Sequence, residues 1–419
     1  MNIVLATFGS LGDLHPTLAL ARELKRRGHR PLVATFDAYA DAVAAAGAGF
    51  RAIRPSVEAF GDPHQLLQRL LDPRRGPEFL VRRMFMPHLR ASYEDLYAAA
   101  EDADLLVSHP ITYAAPLVAE KRGLPWASTV LSPLSIMSAV DPPLFPGAAW
   151  LHAVHSLGVA PYRMVFSLVK RVVAGWEQPV RELRRELGIP SSRLAQFEGQ
   201  YSPHLNLALF SPLLAAPRAD WPEHTLTCGF ARYEGAAPDA AVLSALDAFM
   251  SAGDAPLVFG LGSSAVAIAA PFWDAAMDAV SRLGRRAVFL TGQHAAAPAT
   301  PPGMAAFPYA PYSAVFPRAA AVVHSCGIGT LAQALASGRP QLLVPVAFDQ
   351  PDNARRAARL GVGRVLPFAR ATAKRLAAEL ARILDDTSYA QAAAAAAPRV
   401  AAEDGARVAA DALERLCAR

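Results

Sequence analysis

The sequence predicts an α/β protein built from two doubly wound, Rossmann-like domains. Three observations lead there. Short β-rich apolar runs alternate with longer helical patterns, which indicates βαβ units and a parallel sheet. The alternation lapses into a Pro- and aromatic-rich stretch and then restarts at "PLVFGLGSS". The apolar runs also lack polar–apolar alternation, as expected of strands covered on both faces.

The chain opens on the strand "IVLAT", with a helix from about Pro16 to Arg27. "PLVATF" precedes a helix in "AYADAVAAAG", and "DLLVSH" precedes one near "AAPLVAEKRG". In "LHAVHSLGVAPYRMVFSLVKRVVAGW" a helical pattern carries Met164, Phe166, Leu168, Val172 and Val173. These read as the core-facing side of an amphipathic helix, or as the wall of an apolar pocket. "SPLLAAPRADWPEHT" and "YEGAAPDA" have the proline-rich polar composition of a linker. Then "PLVFGLGSS", "RAVFLT", "AAAVVHS" and "QLLVPVA" each precede a helical segment. The expected boundaries are a first domain over 1–212, a linker over 213–240, a second domain over 241–398, and a terminal helix in 399–419 that can pack on either domain.

With 419 residues and 53% hydrophobic content, the chain can form two cores of ordinary size. The net charge of +5 is modest, and only four lysines are present. No basic patch interleaved with aromatic residues appears, so no nucleic-acid partner is expected. Cys228, Cys326 and Cys417 are too scattered for a zinc site or a disulfide framework. "MNIVLATFGS" reads as a strand without the charged start of a signal peptide. No apolar run is long enough for a transmembrane segment. The expected location is cytoplasmic.

Two glycine turns carry the chemistry. The first, "FGSLGDLHP", links a strand to a helix, and Gly9 and Gly12 leave backbone open to a ligand. It lacks the G-x-G-x-x-G spacing of a dinucleotide site. Asp13 is either a helix-capping residue or a general base. His15 reads as a structural neighbour.

The second turn is "HSCGIGT", His324 to Thr330. Amides at a helix N-terminus bind anions, and Gly327 and Gly329 let a phosphate reach them. Thr330 adds a hydroxyl. His324 either donates to a phosphate oxygen or is a satisfied histidine at a strand end. No P-loop lysine follows, which favours an intact diphosphate ligand over nucleotide hydrolysis. Asp349 and Gln350 follow the buried strand "QLLVPVA". A carboxylate beside an amide suits vicinal sugar hydroxyls, although Asp349 alone could cap a helix.

These residues resemble the GT-B glycosyltransferases of family 1, in particular their bacterial antibiotic and rhamnosyltransferase branch. The likeness runs through both domains. It is most specific in "YAPYSAVFPRAAAVVHSCGIGT" and "GRPQLLVPVAFDQPDN", and it includes "GSLGDLHPTLALARELKRRGH". The resemblance implies donor binding by Ser10, Gly12, Ser263, Tyr309, Ala310, His324, Gly327, Gly329, Thr330, Asp349, Gln350 and Asn353. Tyr309 would stack on the base and Ala310 would offer backbone to its edge. Ser263 would bring a hydroxyl near the nucleotide, and Asn353 would fix the Asp-Gln loop. Asp13 stands where plant members carry a catalytic histidine, and His109 stands where they carry its supporting aspartate. Asp13 is therefore expected as the base, with His109 assisting it, binding substrate or ending a strand.

The implied reaction is an inverting, metal-independent transfer of a hexose to a hydroxyl of a lipophilic small molecule. The donor would be a UDP- or dTDP-linked sugar such as glucose or rhamnose, acting as co-substrate, with no cofactor. The alternatives are a sugar-nucleotide 2-epimerase-like enzyme and a non-catalytic auxiliary protein of the same fold.

Overall fold

The computed structural model describes residues 1–72, 74–235, 238–262, 269–292 and 298–418. They form two compact units, each built on its own sheet. One unit comprises Met1–Tyr233 and Asp404–Arg419, and the other Glu234–Glu403.

The sheet of the first unit contains β1 (Asn2–Ala6), β2 (Arg30–Thr35), β3 (Gly49–Ala52), β4 (Leu105–Ser108), β5 (Trp126–Val130), β6 (Asn206–Ala208) and β7 (Thr225–Thr227). Their order is β3-β2-β1-β4-β5-β6-β7, with every pairing parallel. β1, β4 and β5 are fully or nearly fully buried, which explains their unbroken apolar sequences. The order reverses between β1 and β4, where Ala6 lies beside Ser108. A reversal of this kind opens a crevice beyond the carboxyl ends of the two strands.

The second unit contains β8 (Leu257–Gly260), β9 (Ala287–Leu290), β10 (Met304–Phe307), β11 (Ala321–His324), β12 (Gln341–Leu343) and β13 (Gly363–Val365). Their order, β10-β9-β8-β11-β12-β13, is again all parallel. It reverses between β8 and β11. Phe259 and Phe289 stack within its core with ring centroids 4.8 Å apart.

Three differences from the sequence reading have physical causes. The first helix spans Leu11–Arg26, with Pro16 inside it. Ser10 and Asp13 form a capping box that starts the helix well before the proline. The segment read as a linker contributes β7, whose three residues are too short to stand out in a proline-rich sequence. At the other end, the helix Thr387–Ala401 lies in the second unit, and only the helix Gly405–Cys417 returns to the first. Gly405 sits so close to the backbone of Gly229 and Phe230 that a Cβ there would be 2.3 Å from the Gly229 carbonyl oxygen. Arg27 fixes the returning helix through Asp411 at 2.5 Å and Glu414 at 2.8 Å.

The helix Val159–Ala174 only partly follows the expected core-facing pattern. Tyr162, Phe166 and Val173 are buried, whereas Met164, Leu168 and Val172 are 66%, 52% and 68% exposed.

Candidate functional site

In the first unit, the crevice between β1 and β4 brings together the two residues read as catalytic. Asp13 is the third residue of the helix Leu11–Arg26. Its Oδ2 accepts from the Ser10 amide at 2.8 Å and from Ser10 Oγ at 3.2 Å. Ser10 Oγ in turn accepts from the Gly12 amide at 3.2 Å. Ser10 and Gly12, read as donor-binding residues, are thus engaged in the cap that orients Asp13. Oδ1 points elsewhere, with His109 Nε2 at 3.4 Å. His109 follows β4 directly, and its amide donates to the Ala6 carbonyl at 3.0 Å, which ties it to the end of β1. His109 is buried, and its Nδ1 has no hydrogen-bond partner among the described residues. The cap occupies Oδ2 and leaves Oδ1 facing His109, so a capping role does not exclude a base role for this residue.

Two further residues shape this turn. Gly9 has φ +121°, and a Cβ there would lie 2.2 Å from Asp13 Oδ2. Only glycine admits both the backbone angle and the carboxylate. Tyr39 donates its hydroxyl to the Gly9 carbonyl at 3.0 Å. Burial and the nearby charge of Asp13 push that phenol up to about 12. The glycine was visible in the sequence, but nothing in "FDAYADAV" marked Tyr39.

In the second unit, the turn His324–Thr330 leaves β11 at the reversal point. Gly327 caps the helix Ile328–Ala336. Nothing lies within 4 Å of where a Cβ would stand on Gly327 or on Gly329. The helix N-terminus is therefore open on the glycine side, where exposed amides and the helix dipole favour an anion. The Ser325 hydroxyl donates to the Leu261 carbonyl, tying this turn to the end of β8. Thr330 is buried and hydrogen-bonds with Tyr312. Ser263 lies outside the described residues. Tyr309 is half-buried and Ala310 fully buried, in the loop that leaves the carboxyl end of β10.

His324 takes the second of its two readings. It is fully buried, its Nδ1 accepts from the Cys326 amide at 3.2 Å, and its Nε2 lies 3.0 Å from Gln341 Oε1. An accepting Nδ1 places the proton on Nε2, which donates to Gln341. Burial lowers its pKa to about 4, so the ring is neutral. Both nitrogens are occupied, and His324 shapes the turn without a free donor for phosphate. Gln341, a polar residue opening an apolar strand, was the signal that could have revealed this.

The Asp-Gln loop also differs from the sequence reading. Gln350 is 2% exposed, and its Oε1 accepts from the amides of Val346 at 2.9 Å and Ala347 at 3.2 Å. It braces its own loop. Asp349 sits at the N-cap position of the helix Gln350–Arg359 but makes no capping hydrogen bond. Its Oδ2 instead accepts from Asn353 Nδ2 at 2.7 Å. The same Nδ2 reaches the Cys326 carbonyl at 3.0 Å. Asn353 thus joins the loop to the glycine turn, and its buried Oδ1 has no partner among the described residues. Cys326 and Phe348 both adopt left-handed backbone angles, φ 67° and 56°. Two such strained residues, one in each joined turn, mark the kind of position where structure is held for function.

Two doubly wound sheets, each with a polar, glycine-lined turn at its reversal point, define the GT-B class of glycosyltransferases. Comparison with known proteins agrees. Residues 274–416 match the erythromycin biosynthesis protein CIII-like C-terminal domain. The chain is 30% identical over 417 residues to O-mycaminosyltylonolide 6-deoxyallosyltransferase of Streptomyces fradiae, covering 97% of this chain and 95% of that protein. It is also 30% identical to an uncharacterized glycosyltransferase of Mycobacterium tuberculosis, over 92% of this chain and 91% of the relative. Among solved structures, spinosyn forosaminyltransferase SpnP matches with a TM-score of 0.72 at 18% identity, with 100% of both chains covered. Glycosyltransferase VinC, solved with dTDP, matches at 0.68 and 21% identity, also over 100% of both chains. The chain belongs to the natural-product glycosyltransferase family that carries this erythromycin biosynthesis protein CIII-like domain.

Proposed function

We propose that the protein transfers a 6-deoxyhexose from its dTDP-linked form to a hydroxyl of a lipophilic natural product, with inversion and without a metal ion. The open helix N-terminus at Gly327–Thr330 carries the donor half of this reading. Its amides hold the diphosphate and stabilise charge as it develops on the leaving group, the role a cation plays elsewhere. Asp349 takes sugar hydroxyls from the loop that Gln350 and Asn353 brace. Tyr309 stacks on the base, and Ala310 offers backbone to its edge. The dTDP choice is supported by VinC and SsfS6, both solved with that nucleotide. The 6-deoxyhexose choice is supported by the names of the Streptomyces fradiae relative and of spinosyn rhamnosyltransferase SpnG.

On the first unit, Asp13 Oδ1 takes the proton of the acceptor hydroxyl. The freed oxygen forms a bond to the anomeric carbon on the face opposite the diphosphate. The bond to the phosphate oxygen breaks, and dTDP leaves with the electron pair. The centre passes through an oxocarbenium-like transition state. His109 holds Oδ1 in position.

The test is calorimetry with dTDP, UDP, dTDP-rhamnose and UDP-glucose in the presence of a chelator. Binding of the thymidine pair is the expected result. Tighter binding of the uridine pair, or binding that needs added magnesium, would overturn the donor assignment.

A further inference from the structure

The first unit carries an apolar surface that its fold does not use. The helices Ala149–His155 and Val159–Ala174 share a small core around Leu151, Tyr162 and Phe166. Outside that core, Met164, Leu168 and Val172 recur at steps of four and line one exposed side of the second helix. Leu157, in the turn before it, is 74% exposed, and Trp150, on the preceding helix, is 55% exposed. From Leu157 to Val172 the apolar side extends for roughly 20 Å.

Within the segment that builds this surface, the charged side chains have one sign. From Pro142 to Trp176 the sequence contains no aspartate or glutamate, but it contains Arg163, Lys170 and Arg171. Lys170 pairs with Glu198 from outside the stretch. Arg163 and Arg171 are exposed, and neither forms an ion pair among the described residues. On a helical projection, Arg163 and Arg171 lie on the flank adjoining Met164.

We propose that this helix docks the protein onto an anionic lipid surface, lying in the plane of the interface with Met164, Leu168 and Val172 among the acyl chains. An apolar side bordered by arginines, with an exposed tryptophan nearby, is what an in-plane interfacial helix requires. A second copy of the chain is disfavoured as occupant, because antiparallel pairing of two such helices brings Arg163 of one against Arg171 of the other. No helix among the described residues can cross a membrane, so the association is peripheral and reversible. It is separate from the catalytic reading and does not depend on it.

The experiment is vesicle co-sedimentation of the full chain. One set of vesicles is phosphatidylcholine alone, and the other is an equimolar mixture with phosphatidylglycerol. Binding to the mixed vesicles is expected, with little binding to the neutral ones and weakening as salt is raised. Arg163→Glu/Arg171→Glu should lower partitioning by more than about tenfold. Met164→Glu/Leu168→Glu should abolish it. All four positions are exposed, so an unchanged thermal midpoint verifies the fold of each variant. Trp emission should shift to the blue on binding, less so in Trp150→Phe. Absence of binding at low salt overturns the proposal, as does binding that survives both double variants. Sedimentation equilibrium gives the remaining outcome: a dimer dispersed by Met164→Glu/Leu168→Glu, without vesicle binding, would make the surface a subunit interface instead.

Discussion

The side chain of Asn353 reaches back across 27 residues of sequence to the carbonyl of Cys326, 3.0 Å away. With its second bond to Asp349, this amide fixes the spacing between the helix N-terminus at Gly327 and the Asp349 carboxylate, the two groups proposed above to hold diphosphate and sugar. Asn353→Ala should therefore weaken binding of a sugar nucleotide by at least about tenfold, and destabilise the fold by about 1–3 kcal/mol through the groups left unpaired. Calorimetry and urea unfolding check the two effects. Unchanged sugar-nucleotide affinity would show that the connection is only structural.

Gly327→Ala and Gly329→Ala should separate stability from binding. Neither new methyl meets another atom within 4 Å. Gly329 lies inside the helix, where alanine stabilises by about 0.5–1 kcal/mol. On the proposed donor reading, the same methyl takes up open space that the diphosphate needs. Thermal midpoints should hold or rise while nucleotide affinity falls. A fall in both would place the glycines in the fold and not in the ligand site.

Asp13→Asn keeps an oxygen for the Ser10 amide but loses basicity. Turnover should fall by about a hundredfold or more, with donor affinity retained. Gly9→Ala should reach a similar result by another route, since its methyl would displace the Asp13 carboxylate. Full turnover in Asp13→Asn would remove this residue from the mechanism.

Gln350→Ala removes the acceptor that holds the amides of Val346 and Ala347. The loop carrying Asp349 loosens, so affinity for a dTDP-sugar should fall more than affinity for dTDP. Equal losses for the two ligands would argue that the loop serves the nucleotide alone.

Acid should weaken the fold through its histidines. Burial lowers both His15 and His324 to about 4. Near pH 6.5 and below, the unfolded chain therefore binds protons that the native state refuses. Their contribution is complete above about pH 6.5 and is lost as pH falls toward about 4. Urea midpoints should drop across that interval. His15→Phe, which keeps a ring against Tyr233, should make the decline shallower. A midpoint independent of pH between these limits would contradict the neutral native state of both rings.

The sequence made the architecture legible because the buried parallel strands announce themselves as apolar runs, and the two glycine turns follow them. Asp13, whose surroundings are local, was readable as a capping residue, although its partner Ser10 was not. What escaped depends on distant partners. His324 is neutralised by Gln341 on the neighbouring strand, and that pairing follows from sheet register, not from the spacing of the motif. Gln350 reads as a ligand group in any linear description, yet the loop bends its amide inward. Pro16 suggested a helix start that the cap before it had already set.

The return of Gly405–Cys417 to the first unit bears on how the chain comes off the ribosome. Arg27 emerges early, but its partners Asp411 and Glu414 are made 384 and 387 residues later. Until then the backbone groove at Gly229 and Phe230 stays unfilled. The second unit, whose residues are contiguous, can finish folding first. The first unit is thus completed only after all of the second has been made, and its closure is a long-range step.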